Sequence, residues 1–241
     1  MKNLWKGAAA LALFGAVCSP MASGCVEAEA PFFIRSVKAQ NCEVIGVDSE
    51  LLAAGTMDLR YSCNYFAVLE IANQLVRRGD ETKLQIETSR ISVESVDVEI
   101  LQADGETAIN AFTYPTAGFV DPATSSNPGR GLAGALLIDG GTAAIIAQQG
   151  GGLFVARVVA NGRTLGGDNI RTRPFDFPIN ICIGCLCREP ANDTCIGADV
   201  APSEACFFPQ DSGFDCRWLN GHTCDEPATC GCFANGDCIQ P

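Results

Sequence analysis

The residues with the widest chemical scope in this chain are its cysteines, and two pairs have spacings that support chemistry: Cys182-Ile-Gly-Cys185 and Cys230-Gly-Cys232. Such pairs can cycle between dithiol and disulfide or hold a soft metal such as zinc. Redox cycling needs a thiolate stabilised by a helix N-terminus or a cation. Cys182 instead closes a strand-like segment, and Arg188 is the only base nearby. Zinc needs reduced thiols, which an oxidising compartment does not favour. Both pairs are therefore read as structural disulfides, with no metal and no cofactor expected. The single histidine, His222, lies in a Gly-rich turn between Cys216 and Cys224, and no Gly-x-Ser-x-Gly turn accompanies it, so a serine or cysteine nucleophile lacks its base.

Other motifs lose their meaning in context. Gly129-Arg-Gly-Leu-Ala-Gly134 matches the dinucleotide fingerprint letter for letter. Ser126-Asn127-Pro128 precedes it in place of a strand, no long helix follows, and no acidic residue lies between Asp139 and Asp168 to hold a ribose. It is read as a loop. Asp211 and Asp215 could bind calcium with Asp237, but this acidic run reads as a solvated face. Acids are frequent enough for a carboxylate pair to converge, although spacing does not say which two. No catalytic residue is assigned.

The elements that must position these residues divide at Phe175 to Cys187. Its first half alternates Phe175, Phe177, Ile179 and Ile181 with polar or proline positions, the period of a half-buried strand. Its second half opens a cluster holding ten of the fourteen cysteines, from Cys182 to Cys238. Upstream, Phe32–Val37, Thr56–Tyr61, Tyr65–Leu75 and Leu153–Ala160 read as strands. Apolar parity flips between Ile91, Val93 and Val96, Val98, Ile100, which predicts a bulge or a change of sheet near Glu94 and Ser95. Ser49–Ala54 reads as a single helical turn, Asp104–Gly131 as mostly loop, and Asn161-Gly162 as a two-residue hairpin turn. Thr142–Gln149 reads as a two-turn helix capped by Thr142, with a strand as the alternative. Short strands with turn signals and few helices point to a mainly β protein, an antiparallel β-sandwich of immunoglobulin-like kind, followed by a small disulfide-rich C-terminal module.

The first residues form an address. Lys2 and Lys6 precede an apolar run from Gly7 to Val17, too short to span a bilayer, and Pro20 breaks it. Ala22-Ser23-Gly24-Cys25 then resembles the bacterial lipobox, in which small residues precede a thiol that is acylated and becomes the mature N-terminus. Cys18 follows a branched Val17 and does not fit. The alternative is a plain secretory signal and a secreted protein. Val26 follows Cys25 where an aspartate would signal inner-membrane retention, which favours the outer membrane.

Without Cys18 and Cys25, twelve cysteines remain, an even number: Cys42, Cys63, Cys182, Cys185, Cys187, Cys195, Cys206, Cys216, Cys224, Cys230, Cys232 and Cys238. Cys42 and Cys63 are expected to bridge the early body, a loop worth about 3 kcal/mol in the chain-entropy treatment. The ten tail cysteines allow on the order of a thousand pairings. The formal charge of -12 becomes -14 once Lys2 and Lys6 leave with the signal, the only charges before Cys25. That argues against a nucleic-acid partner, which needs a basic face.

The lipobox ending in Cys25, Tyr65–Leu75 with its Ile71-Ala-Asn-Gln-Leu75 end, Asn161-Gly-Arg-Thr-Leu-Gly-Gly167, and Phe175-Asp-Phe-Pro-Ile-Asn-Ile-Cys-Ile-Gly-Cys-Leu186 together resemble cysteine-tailed surface lipoproteins of myxobacteria and related Gram-negative bacteria. The resemblance covers most of residues 25–187 and, less specifically, Pro209-Gln210-Asp211 to Cys216. It implies the anchor at Cys25 and a sandwich body, and no activity. Cys187 and the length of the tail depart from the shorter pattern of that group.

The expected organisation is a lipoprotein signal peptide at 1–24, a short tether at 25–31, a β-sandwich domain at 32–181 and a cysteine-rich module at 182–241. The expected function is a membrane-anchored, non-catalytic binding or structural module. Its partners would be the lipid bilayer and an unidentified protein or polysaccharide. From another class, the alternative is an extracytoplasmic enzyme, either a thiol-disulfide oxidoreductase using Cys182 and Cys185 or a carboxylate-dependent hydrolase.

Overall fold

The computed structural model describes residues 30–40, 45–59, 62–79, 86–125, 127–186, 210–211, 233–234 and 237–238. The chain is mainly β. Its strands are β1 (Phe32–Lys38), β2 (Leu51–Leu52), β3 (Gly55–Asp58), β4 (Tyr65–Asn73), β5 (Ile91–Gln102), β6 (Ala108–Val120), β7 (Gly129–Ile138), β8 (Gly152–Thr164), β9 (Asn169–Arg171), β10 (Phe175–Cys182), β11 (Phe233–Ala234) and β12 (Asp237–Cys238). Among the described residues there is one helix, α1 (Gly140–Gln148).

One sheet is antiparallel throughout, in the order β2-β1-β4-β7. The second is mixed, in the order β3-β10-β8-β5-β6, with β9 paired to β8. Its β3–β10 pair is parallel and the rest antiparallel, a departure from the fully antiparallel expectation. Strands β11 and β12 form a separate hairpin. Both large sheets turn their alternate apolar residues into one continuous core, with Phe32, Tyr65, Leu69 and Leu137 from the first meeting Val98, Ile100, Phe177 and Ile179 from the second. The alternation read in Phe175–Ile181 is realised, since Phe177, Ile179 and Ile181 are buried while Asp176 and Asn180 are exposed.

The parity flip in β5 is a bulge. Register shifts between Val93 and Ser95 against both β6 and β8, so that Ile91 and Val93 before it and Val96 and Val98 after it all reach the core. Elsewhere the expectations need correction. The segment from Asp104 to Gly131 is not mostly loop, because it contains the 13-residue strand β6. Pro115, which suggested a break, sits on an edge strand at the register shift opposite Ser95, where a missing N–H is tolerated. Asn161-Gly162 is not a turn. Strand β8 runs through it, held by a bond from Asn161 Nδ2 to Asp97 Oδ2 (2.8 Å), and the chain turns at Leu165–Asp168, with Gly167 N–H donating to Thr164 O. Ser49–Ala54 contains strand β2 instead of a helical turn, since Leu51 and Leu52 pair with the end of β1. The expected helix is present, but its N-cap is Asp139, which accepts the Thr142 amide at 2.7 Å.

The glycine-rich Gly129–Gly134 is strand, not loop: it opens β7, beside β4. A Cβ at Gly131 would lie 2.2 Å from the carbonyl oxygen of Phe119 on β6. The glycines allow the backbones of β6 and β7 to cross closely where the two sheets meet, and this accounts for the fingerprint without any phosphate.

The strand directions give the body two ends. Phe32 faces Asn73, Asn73 faces Gly129, and Ile91 faces both Val120 and Thr164, so the start of β1 lies at one end with the described segments 74–79, 86–90, 121–125 and 127–128 and turn 165–168. Helix α1, the β5–β6 turn and the end of β10 lie at the other.

Candidate functional site

The parallel β3–β10 pair brings the best-formed cluster of chemical groups together. Its last register pair is Asp58 with Cys182, and Leu59 N–H donates to Cys182 O at 2.8 Å. Beyond Cys182 the chain folds back over Asp58. The Asp58 carboxylate, fully buried, accepts the Gly184 amide on Oδ1 (2.6 Å) and the Leu186 amide on Oδ2 (2.9 Å). Gly184 has φ of +80°, a left-handed conformation that favours glycine. Cys182 and Cys185 form a disulfide across this loop, with Cα atoms 5.8 Å apart. The Cys182 sulfur lies 3.4 Å from Met57 O. Cys185 is exposed, while Leu186 closes the loop against the body.

Three potential ligand atoms, from Asp58, Cys182 and Cys185, fall within 4.8 Å of one another. The two sulfurs of this set are bonded to each other, and each carboxylate oxygen accepts a backbone amide. Redox chemistry is disfavoured. A thiolate released at Cys182 would form beside a buried carboxylate, and like charge disfavours it. The arrangement is a clasp, in which the disulfide and the carboxylate hold one loop from two sides.

A second cluster docks the tail. Gln210 bridges to Met57 as an antiparallel neighbour on the free edge of β3. Its side-chain amide pairs with the backbone of Phe66, accepting from N–H at 3.1 Å and donating to the carbonyl at 2.6 Å. Asp211, at φ +66°, accepts from Thr56 N–H (2.7 Å) and from the buried Tyr65 hydroxyl (2.9 Å). Burial pushes the Asp211 carboxyl upward against the bonds from Thr56, Tyr65 and Gln210, and burial together with Asp211 pushes the Tyr65 phenol upward. The expectation of a solvated acidic face fails at Asp211, and its oxygens are engaged with the body, not presented for calcium.

A third cluster lies on the outer face of the antiparallel sheet. Glu70, fully buried, is met by Lys38 Nζ at 2.9 Å, Ser36 Oγ at 2.9 Å, Arg35 at 3.3 Å and Arg130. Lys38 also donates to Ser49 O, and Arg130 to Asp48 and the Val47 carbonyl. These bonds strap residues 47–49 over the sheet. Burial raises the Glu70 carboxyl, but the bonds from Arg130, Lys38 and Ser36 more than offset this and hold it at about 2.

Of the cysteines singled out by sequence, Cys182 and Cys185 are joined, and Cys63 is buried and disulfide-bonded. Its expected partner Cys42 lies outside the described residues, as do Cys25, Cys187, Cys195, Cys206, Cys216, Cys224, Cys230, Cys232, His222 and Asp215. Cys238 and Asp237 form β12. Sequence reasoning missed Asp58, Glu70 and the Tyr65–Asp211 contact. The signal for the first two was present: each is a lone acid between large apolar residues, Met57 and Leu59 or Leu69 and Ile71. The chain matches no family model and no curated protein sequence.

Proposed function

We propose that the protein is a lipid-anchored, non-catalytic module of the bacterial outer membrane, resembling the cysteine-tailed surface lipoproteins. In this reading Cys25 carries the lipid, residues 32–181 form an immunoglobulin-like β-sandwich and residues 182–241 a disulfide-held module, with a protein or polysaccharide as partner. The sandwich assignment is supported by one core shared between two sheets. The observation that carries the non-catalytic reading is the state of Asp58. Its two carboxylate oxygens accept the backbone amides of Gly184 and Leu186, a structural use of the group, and the adjacent sulfurs are bonded to each other.

The enzyme reading with a specific observation behind it is thiol-disulfide exchange, because Cys185 is exposed to an attacking thiolate. A free-thiol count on the native protein separates the two. The structural module shows none, and mild reductant leaves Cys182–Cys185 intact; a catalytic pair titrates at once.

A further inference from the structure

The body carries exposed large apolar side chains at both ends, and the described tail residues Gln210 and Asp211 dock at one of them. Leu51, Phe66, Ile145, Leu153 and Ile183 lie toward the end where the chain leaves the body at Leu186 and where Gln210 and Asp211 dock. Val76, Ile86, Phe119 and Leu165 lie toward the opposite end, 75%, 77%, 55% and 51% exposed. That second end is tied together by backbone bonds from Gln74 to Pro31 (2.7 Å), Ala123 to Leu75 (2.9 Å) and Leu165 to Arg90 (2.9 Å). The Arg90 guanidinium lies 4.8 Å from the Phe119 ring centre.

Pro31 is where the tether joins. Six residues separate Cys25 from Phe32, a span of at most about 20 Å, so a lipid on Cys25 holds this end, and not the tail end, against the bilayer. The 12 residues of β5 set the two ends roughly 35–40 Å apart. Charge agrees with this orientation. The described residues of this end, 74–79, 86–90, 119–125, 127–128 and 163–168, include four basic and three acidic ones, close to neutral, within a mature chain of -14. An acidic protein approaches an anionic headgroup surface most favourably by its neutral face.

We propose that this end rests on the phospholipid surface, with Val76, Ile86, Phe119 and Leu165 seated at headgroup depth and the Arg90–Phe119 pair at the interface. The inference depends on acylation of Cys25. It extends that reading by giving the body a fixed orientation: the clasp and the docked Gln210–Asp211 segment face away from the membrane.

The test uses the full lipidated protein in phosphatidylethanolamine–phosphatidylglycerol vesicles, with or without brominated acyl chains. Trp218 is replaced by Phe, leaving the mature chain without tryptophan, and a reporter is introduced as Phe119→Trp or, at the opposite end, Leu51→Trp. Ile86→Trp substitutes for Phe119→Trp should the latter fold poorly. The expected result is a blue shift and loss of emission in brominated vesicles for the Phe119→Trp or Ile86→Trp reporter, and neither for Leu51→Trp. Equal quenching of both ends, or none, overturns the orientation. A near-end reporter unquenched by brominated lipid but shielded from iodide assigns the surface to a protein partner or a second copy, and also overturns it. The mass of the N-terminal peptide from the same sample separates the failures: acylated Cys25 with no quenching sinks this inference alone, and unmodified Cys25 sinks the anchor with it.

Discussion

Two buried acids illustrate how differently a carboxylate can serve this protein. Asp58 holds backbone amides, while Glu70 holds cations. Asp58→Ala leaves the Gly184 and Leu186 amides without their acceptor, which is expected to cost roughly 2–4 kcal/mol in denaturant unfolding. Asp58→Asn retains one acceptor and removes the charge beside Cys182, so it costs less and makes Cys182–Cys185 easier to reduce; titration against a dithiol buffer measures the shift. For Glu70 the sign follows from its lowered carboxyl. A group held at about 2 in the folded chain, against 4.5 ordinarily, stabilises above 4.5 and loses that contribution as pH falls toward 2. The contribution is about 3 kcal/mol at neutral pH. Glu70→Gln is expected to lower stability at pH 7 and to flatten its decline between pH 4.5 and 2.5, read by unfolding at a series of pH values. Neither acid was assigned from the sequence, since a lone charge within an apolar strand marks a buried group without naming its partners, and those partners are 32 to 128 residues away.

At the scale of elements, strands with strong alternation were legible and strands with breakers were not. Phe175–Ile181 and the parity flip of β5 came through because burial on one face imposes a period of two and a bulge shifts its phase. Strand β6 was missed because Pro115 and Asp104-Gly105 carry turn chemistry whatever the tertiary setting, and only the fold places Pro115 on an edge. The parallel pairing of β3 with β10 joins segments more than a hundred residues apart and leaves no local trace. The β6–β7 crossing offers a direct contrast. Gly131→Val drives a side chain into the Phe119 carbonyl and is expected to cost about 1–3 kcal/mol, whereas a Cβ at Gly134 meets open space, so Gly134→Ala is expected to stay within about 0.5 kcal/mol. Thermal unfolding of the two variants checks this.

The tail makes its own prediction. Reduction should open it to trypsin after Arg188 or Arg217 while the body, with its own core, resists. Asp211→Ala should bring tail cleavage forward under oxidising conditions by releasing Thr56 and Tyr65. Because the Asp211 carboxyl is raised, the docked state binds its proton more readily than the free one. Acid therefore tightens the contact instead of releasing it. Limited proteolysis read by mass spectrometry at pH 7 and pH 5 follows both effects, and loss of body and tail in one cooperative step on reduction would place the tail within the core.

For the molecule as a whole, the proposed reading sets an oxidised clasp and the docked Gln210–Asp211 segment at one end of an acidic mature chain and a short tether at the other. The central claim of that reading is the anchor at Cys25. Growth of a Gram-negative host expressing the full chain with labelled palmitate, followed by fractionation, tests it most directly. The account predicts label on the wild-type protein and on Cys18→Ser, both in the membrane fraction, and an unlabelled, released protein for Cys25→Ser. Label that persists on Cys25→Ser, or a wild-type protein that is unlabelled and soluble, would contradict it.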